Sequence, residues 1–258
     1  MGVVNVTPDS FSDGGRTLDP KAAIDRAKAL IEEGADILDI GAESSRPGAL
    51  SVSAEEELSR LTPVLEGLSD CAVPISVDTV KPEVMRAAIA AGASMINDIG
   101  ALRAPGAMRA VAASDVGVCL MHMQGEPRTM QQSPSYRDVV AEVGAFLEER
   151  VAAAMAGGIA RERIAVDPGF GFGKTVAHNF ELLRNLDRIA ALGLPVLAGW
   201  SRKSTLGAIT GRGAEDRLAA SLAAALLAVE RGARIVRVQD VAATRDALAV
   251  LAAFHGKS

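Results

Sequence analysis

The sequence is poor in cysteine, in basic runs and in long apolar runs. Its 258 residues hold two cysteines, Cys71 and Cys119. They lie far apart without the spacing of a metal site, so both read as buried thiols of a reducing compartment. Net charge is −5 and the pI is near 5.3. With no basic run there is no electrostatic footprint for nucleic acid. No signal peptide opens the chain. The longest apolar run, 218–229, is flanked by Arg217 and Glu230 and is too short to span a bilayer. These absences lead to the expectation of a soluble, cytoplasmic protein with neither nucleic acid nor membrane as partner. No linker-like stretch divides the chain, so residues 1–258 read as a single domain.

What is present concentrates in one stretch, 164–174, Ile-Ala-Val-Asp-Pro-Gly-Phe-Gly-Phe-Gly-Lys. β-Favouring residues run into Asp167, and a carboxylate at a buried strand end is costly without a partner. Pro168 has no N–H for a ladder and stops the strand. Gly169, Gly171 and Gly173 let the loop fold closely round something. Phe170 and Phe172 supply aromatic walls and Lys174 closes the loop. The bland alternative is a strand-to-helix turn with a capping Asp. Gly173-Lys174-Thr175 is not the end of a P-loop, because position 168, where that motif needs glycine, is Pro.

Along the chain, strands are expected at 1–6, 37–40, 74–77, 95–98, 116–121, 163–166, 195–198 and 235–238. Helices are expected at 20–33, 53–68 (Ser53 with Glu56 as a capping box), 82–91, 106–113, 136–156, 178–190, 215–230 and 242–254. Residues 7–19 and 44–48 form polar loops longer than a connection needs. Strict alternation implies parallel strands with helical crossovers, and the length suits an α/β fold of the closed (β/α)8 TIM barrel type. An open doubly wound sheet would more often carry a glycine-rich turn after strand one, where this chain has Asn5-Val6-Thr7-Pro8-Asp9.

Asn5, Asp78, Asn97, His122, Asp167, Ser201, Lys203, Arg237 and Gln239 fall at or just past C-terminal strand ends, the rim where barrel enzymes hold their sites. Two carboxylates and an amide, Asp78, Asp167 and Asn97, suit a flat heterocycle with amidine-like N–H groups. Arg46, Arg237, Lys203 and the Ser44-Ser45 hydroxyls suit a phosphate or diphosphate. Asn5 could hold Mg²⁺ that shares its other ligands with diphosphate oxygens and water. His178 and Trp200 read as capping or packing residues, and His122 is balanced between rim packing and a site role. The residues alone thus define a barrel enzyme acting on a nitrogen heterocycle that carries phosphate.

The motifs Asn5-Val6-Thr7-Pro8-Asp9-Ser10-Phe11, Glu43-Ser44-Ser45-Arg46-Pro47-Gly48, Ser76-Val77-Asp78-Thr79, Ile96-Asn97-Asp98, Asp167 to Lys174 and Ser201-Arg202-Lys203 resemble those of the dihydropteroate synthase family. The resemblance covers essentially the whole chain. It implies condensation of 7,8-dihydropterin-6-ylmethyl diphosphate with 4-aminobenzoate, giving 7,8-dihydropteroate and pyrophosphate in folate biosynthesis. It places the pterin against Asp78, Asn97, Met121, Asp167 and Lys203, and the diphosphate against Ser45, Arg46, Arg237 and Gln239. Mg²⁺ goes to Asn5, and the aminobenzoate lies near Phe11, Pro47, Phe172, Ser201 and Lys203. The chemistry implied rests on Asp78, Asp167, Lys203 and Arg237. Sulfonamides as inhibitors and a homodimer are further implications.

The chain departs from the family at Gln239, where His is common, and at Ser45, where Thr is common. It also starts almost at strand one, so the hairpin that precedes that strand in the family is expected to be missing. Rival readings are the pterin-binding barrel of corrinoid methyltransferases, which has no need of the Ser201-Arg202-Lys203 turn, and a non-catalytic pterin-binding barrel.

Overall fold

A computed structural model describes residues 1–7, 19–44 and 48–256. Strands and helices alternate along them: β1 Gly2–Asn5, α1 Pro20–Glu32, β2 Leu38–Gly41, α2 Ala54–Gly67, β3 Ile75–Asp78, α3 Pro82–Ala90, β4 Met95–Asp98, α4 Ala107–Ala112 and β5 Gly117–Met121. There follow α5 Val139–Ala156, β6 Ile164–Asp167, α6 Val176–Arg184, α7 Leu186–Ala190, β7 Val196–Ala198, α8 Ser204–Thr210, α9 Leu218–Glu230, β8 Ala233–Val236 and α10 Val241–Phe254.

The helices start where short polar side chains or proline set the first turn. Asp19 accepts from Lys21 N at 2.9 Å ahead of Pro20, and Asp138 accepts from Val140 N and Ala141 N at 3.0 Å. Ser53 caps α2 through Glu56 N at 3.1 Å. The expected capping box there is only half made, because the Glu56 carboxylate turns to Arg60 one helical turn on. A full box does form at α6, between Thr175 and His178, which gives His178 its capping role. The expected helix 178–190 is two helices, since the Asn185 amide bonds Glu181 and interrupts the run.

The strands pair in parallel, in the order β1 to β8. Period two sends alternate side chains to opposite faces. Val4, Leu38, Ile40, Val77, Ile96, Leu120 and Val166 pack outward against the helices in the main core. On the concave face a small apolar cluster of Met1, Cys119, Ala165 and Leu197 fills the bottom, and Ile99, Met121, Met123 and Met130 pack with Phe172 near the top. Between these clusters the inward positions are polar.

Of the expected closed barrel the structure shows eight alternating parallel strands in one curled sheet, with no ladder between β8 and β1 among the described residues. β8 and β1 are joined by one isolated bridge, Gly2 with Val238, through Val3 N to Val238 O and Val238 N to Met1 O, both 3.0 Å. The Met1 ammonium adds a bond to Val236 O at 3.0 Å.

Candidate active site

Each of Asn5, Asp78, Met121 and Asp167 is the last residue of its strand, and Asn97 is the next to last of β4. Ser201 and Lys203 lie past β7, and Arg237 and Gln239 past β8. The fold therefore brings these predicted residues to one rim. Phe11, Ser45, Arg46 and Pro47 lie outside the described residues.

Sequence reasoning missed the centre of this rim. Asp39, in the middle of β2, is fully buried. Its carboxylate accepts from Ser76 Oγ at 2.7 Å, Asn97 Nδ2 at 3.2 Å and Arg237 Nε at 2.5 Å. Arg237 also donates to Asp78 at 3.1 Å. An acid flanked by Leu38 and Ile40 in a buried strand was the available signal, because such a carboxylate must have a partner.

The acceptors at the rim are not all used. Asn97 Oδ1 is buried with no hydrogen-bond partner among the described residues. Asp167 accepts from Gly169 N at 2.7 Å, and burial raises its pKa against that bond. Burial pushes Asp78 up to about 7, against the pull of Arg237. The cations oppose this face. Lys203 Nζ stands 4.2 Å from the centroid of the Phe172 ring, and burial lowers it to about 8, against the pull of Asp167. A cleft of about 430 Å³ reaches this rim at Asp78 and is also lined by Thr79, Ile99, Met123 and Leu50.

Lys174 does not face this cleft. It is 2% exposed and donates to Gly169 O at 2.9 Å and Phe172 O at 3.0 Å. His122 Nδ1 lies 2.9 Å away, and burial together with Lys174 holds the imidazole neutral, at about 3. His122 is thus a packing acceptor, edge-on to Phe146. The loop under Phe172 needs this support because Gly169 sits at φ +68°, where a Cβ would fall 1.9 Å from His122 O. Lys174→Met should destabilise the protein by about 2–3 kcal/mol, since buried carbonyls lose their donor. Urea unfolding measures it, and a change below half a kilocalorie, on the order of surface effects, would contradict this role.

Trp200 packs between Phe170 and Phe180, with centroids 4.6 and 5.6 Å away, and is no substrate platform. Ser201 Oγ accepts from Gln239 N at 3.2 Å, and Gln239 O accepts from Arg26 at 2.8 Å. Gln239 Oε1 is buried without a partner among the described residues.

No group of three His, Cys, Asp or Glu among the described residues could hold a metal. The Asn5 side chain makes no hydrogen bond among them. One free amide oxygen fits an Mg²⁺ ion that takes its remaining ligands from phosphate and water, and does not fit an all-protein cage.

The arrangement is that of a parallel α/β enzyme with buried acceptors and cations gathered at one rim. The family described as pterin binding enzyme matches residues 1–239. The chain is 50% identical to the dihydropteroate synthase of Escherichia coli (strain K12) over 254 residues, 98% of this chain and 90% of that protein. It is 52% identical to that of Neisseria meningitidis serogroup B over 257 residues, 97% of this chain and 90% of that one. The Xanthomonas albilineans dihydropteroate synthase structure with 4-aminobenzoic acid superposes with a TM-score of 0.94 at 57% identity, covering 100% of this chain and 93% of that chain. The Yersinia pestis enzyme in a sulfonamide drug complex gives 0.95 at 44% identity, covering 99% and 93%. The chain belongs to the pterin binding enzyme family, within its dihydropteroate synthases.

Proposed function

We propose that this enzyme condenses 7,8-dihydropterin-6-ylmethyl diphosphate with 4-aminobenzoate, a transferase reaction of folate biosynthesis. The observation that carries the reading is the gathering of acceptors and cations at one rim: Asp78, Asp167 and Asn97 Oδ1, the last without a partner among the described residues, with Lys203 and Arg237. Relatives with 4-aminobenzoic acid and with 7,8-dihydropteroate bound support it.

The pterin N–H groups bond Asp78, Asn97 and Asp167, and Met121 packs on the ring. Arg237, with Ser45, Arg46 and Gln239, takes the diphosphate, and Mg²⁺ on Asn5 supplies further positive charge to it when bound. The C–O bond to the diphosphate breaks and the cation-like methylene is stabilised by the electron-rich pterin and by the charges of Asp78 and Asp167. The aromatic amine, held among Phe11, Pro47, Phe172, Ser201 and Lys203, forms the new C–N bond and releases a proton. No covalent enzyme nucleophile is needed. Formation of 7,8-dihydropteroate together with pyrophosphate, dependent on aminobenzoate and Mg²⁺, tests the reading, and its absence would refute it.

Sulfonamides occupy the aminobenzoate place in this reading. The single bridge after β8 to β1 supports a closed barrel, the free thiols accord with a cytoplasmic location, and the exposed Leu227, Val250 and Phe254 support a homodimer through α9 and α10. Gln239→His should tighten diphosphate binding by about 1 kcal/mol, roughly fivefold, and more so at mildly acidic pH as the imidazole charges. Equal affinity of both forms across that range, by calorimetry, would show that position 239 is not a ligand.

A further inference from the structure

The turn Ser201-Arg202-Lys203 gives its outer residues to the site read above and leaves Arg202 without a part in it. Arg202 is one of three non-glycine residues described with positive φ, at +57°. A long side chain in the left-handed region is sparsely populated and persists only where its surroundings hold it. Here they hold it from every side. Arg202 Nε and a terminal N–H group donate to both oxygens of Asp240, at 3.2 and 2.7 Å, and the other terminal nitrogen donates to Glu215 at 2.6 Å. Arg202 N donates to Ser221 Oγ at 3.0 Å, and Arg217 donates to Arg202 O at 3.0 Å.

Asp240 gives something up for this. It stands at the N-cap of α10, yet its carboxylate caps no backbone N–H there. A favoured capping acceptor is turned instead to the β7 turn. The fork runs parallel to the Gln239 N to Ser201 Oγ bond, one residue back on each side. The two together lock the segment carrying Ser201 and Lys203 to the segment carrying Arg237 and Gln239.

We propose that Arg202 and Asp240 are a positioning pair that sets the aminobenzoate half of the site in register with the diphosphate half. This rests on the function read above. Neither residue touches substrate. A planar fork bonding both carboxylate oxygens fixes direction as well as distance, which a lone lysine cannot do.

Arg202→Gly separates this role from mere support of the turn, because glycine accepts positive φ without strain while the fork is lost. The expected result is a folded protein melting near the parent. Its kcat/KM should fall on the order of 10- to 100-fold, as for a small misplacement of reacting groups. Calorimetry with 4-aminobenzoate in the presence of pyrophosphate and Mg²⁺ should show weaker binding than in the parent. Asp240→Asn, which keeps the side chain's shape but loses one of the two acceptor oxygens, should reproduce the loss, and the double variant should be no worse than either single one. Arg202→Lys should recover only part. Arg202→Gly with parental kinetics overturns the proposal, as do multiplicative effects in the double variant. Should Arg202→Gly not fold, a folded Asp240→Asn with parental kinetics overturns it alone. A parent enzyme that releases no pyrophosphate would refute the function itself and is scored separately.

Discussion

Asp39→Asn should cost about 3 kcal/mol of folding stability, the lower part of the range for a broken buried ion pair. The carboxylate is fully buried and gathers Ser76, Asn97 and Arg237. An amide in its place offers one acceptor oxygen and puts an N–H group where donors already converge. Asp78 keeps a share of the guanidinium, which is why the loss stays at the lower end. Activity should fall too, because Asn97 and Arg237 both take their direction from Asp39. Urea unfolding gives the stability, and a loss under about 1 kcal/mol, typical of exposed pairs, would mean that the network is not held as described. Pairing Asp39→Asn with Arg237→Met should restore part of the stability by removing the stranded charge.

Asp78→Asn should lower kcat/KM by about 2–4 kcal/mol, roughly 30- to 1000-fold, through a mismatched donor facing the pterin. Asp167→Asn should fall in the same range. The pH profile gives the sharper test. Burial pushes Asp78 up to about 7, so the ionised acceptor is lost as pH falls through neutrality. The parent should therefore lose activity on the acid side, about tenfold per pH unit once well below 7. On the alkaline side Lys203, at about 8, loses its charge. His122, at about 3, stays neutral throughout and adds no limb. Asp98, at about 6, and Lys174, at about 7, persist in Asp78→Asn, so disappearance of the acid limb there assigns it to Asp78. An unchanged limb in that variant would remove Asp78 from the pterin site.

The strand-end residues were legible because period two and strict alternation place them without further knowledge. Asp78, Asn97 and Asp167 needed only a strand before them and a turn after. Asp39 was not legible as a site residue, because its value comes from Arg237, on the far side of β1. Lys174 read as a loop-closing charge. That it turns inward to carbonyls depends on how Gly169 and Gly173 fold the backbone over it. The break at Asn185 and the unmade box at Glu56 are local competitions between side chains, which a hydrophobic period does not register. Gln239 was legible as a departure from the family, but that its oxygen lacks a partner among the described residues was not.

Arg237 leaves the end of β8, passes over β1 and ends on carboxylates of β2 and β3. Asp39 and Asp78 thus stand in for the anion that the proposed reaction brings. They are tethered competitors at high effective concentration, already in place before any diphosphate arrives. In the proposed reaction incoming diphosphate would displace them, at a cost to its ground-state hold. When pyrophosphate departs, the guanidinium has its own carboxylates to return to, so the leaving group that the site must stabilise is not one that the site must keep.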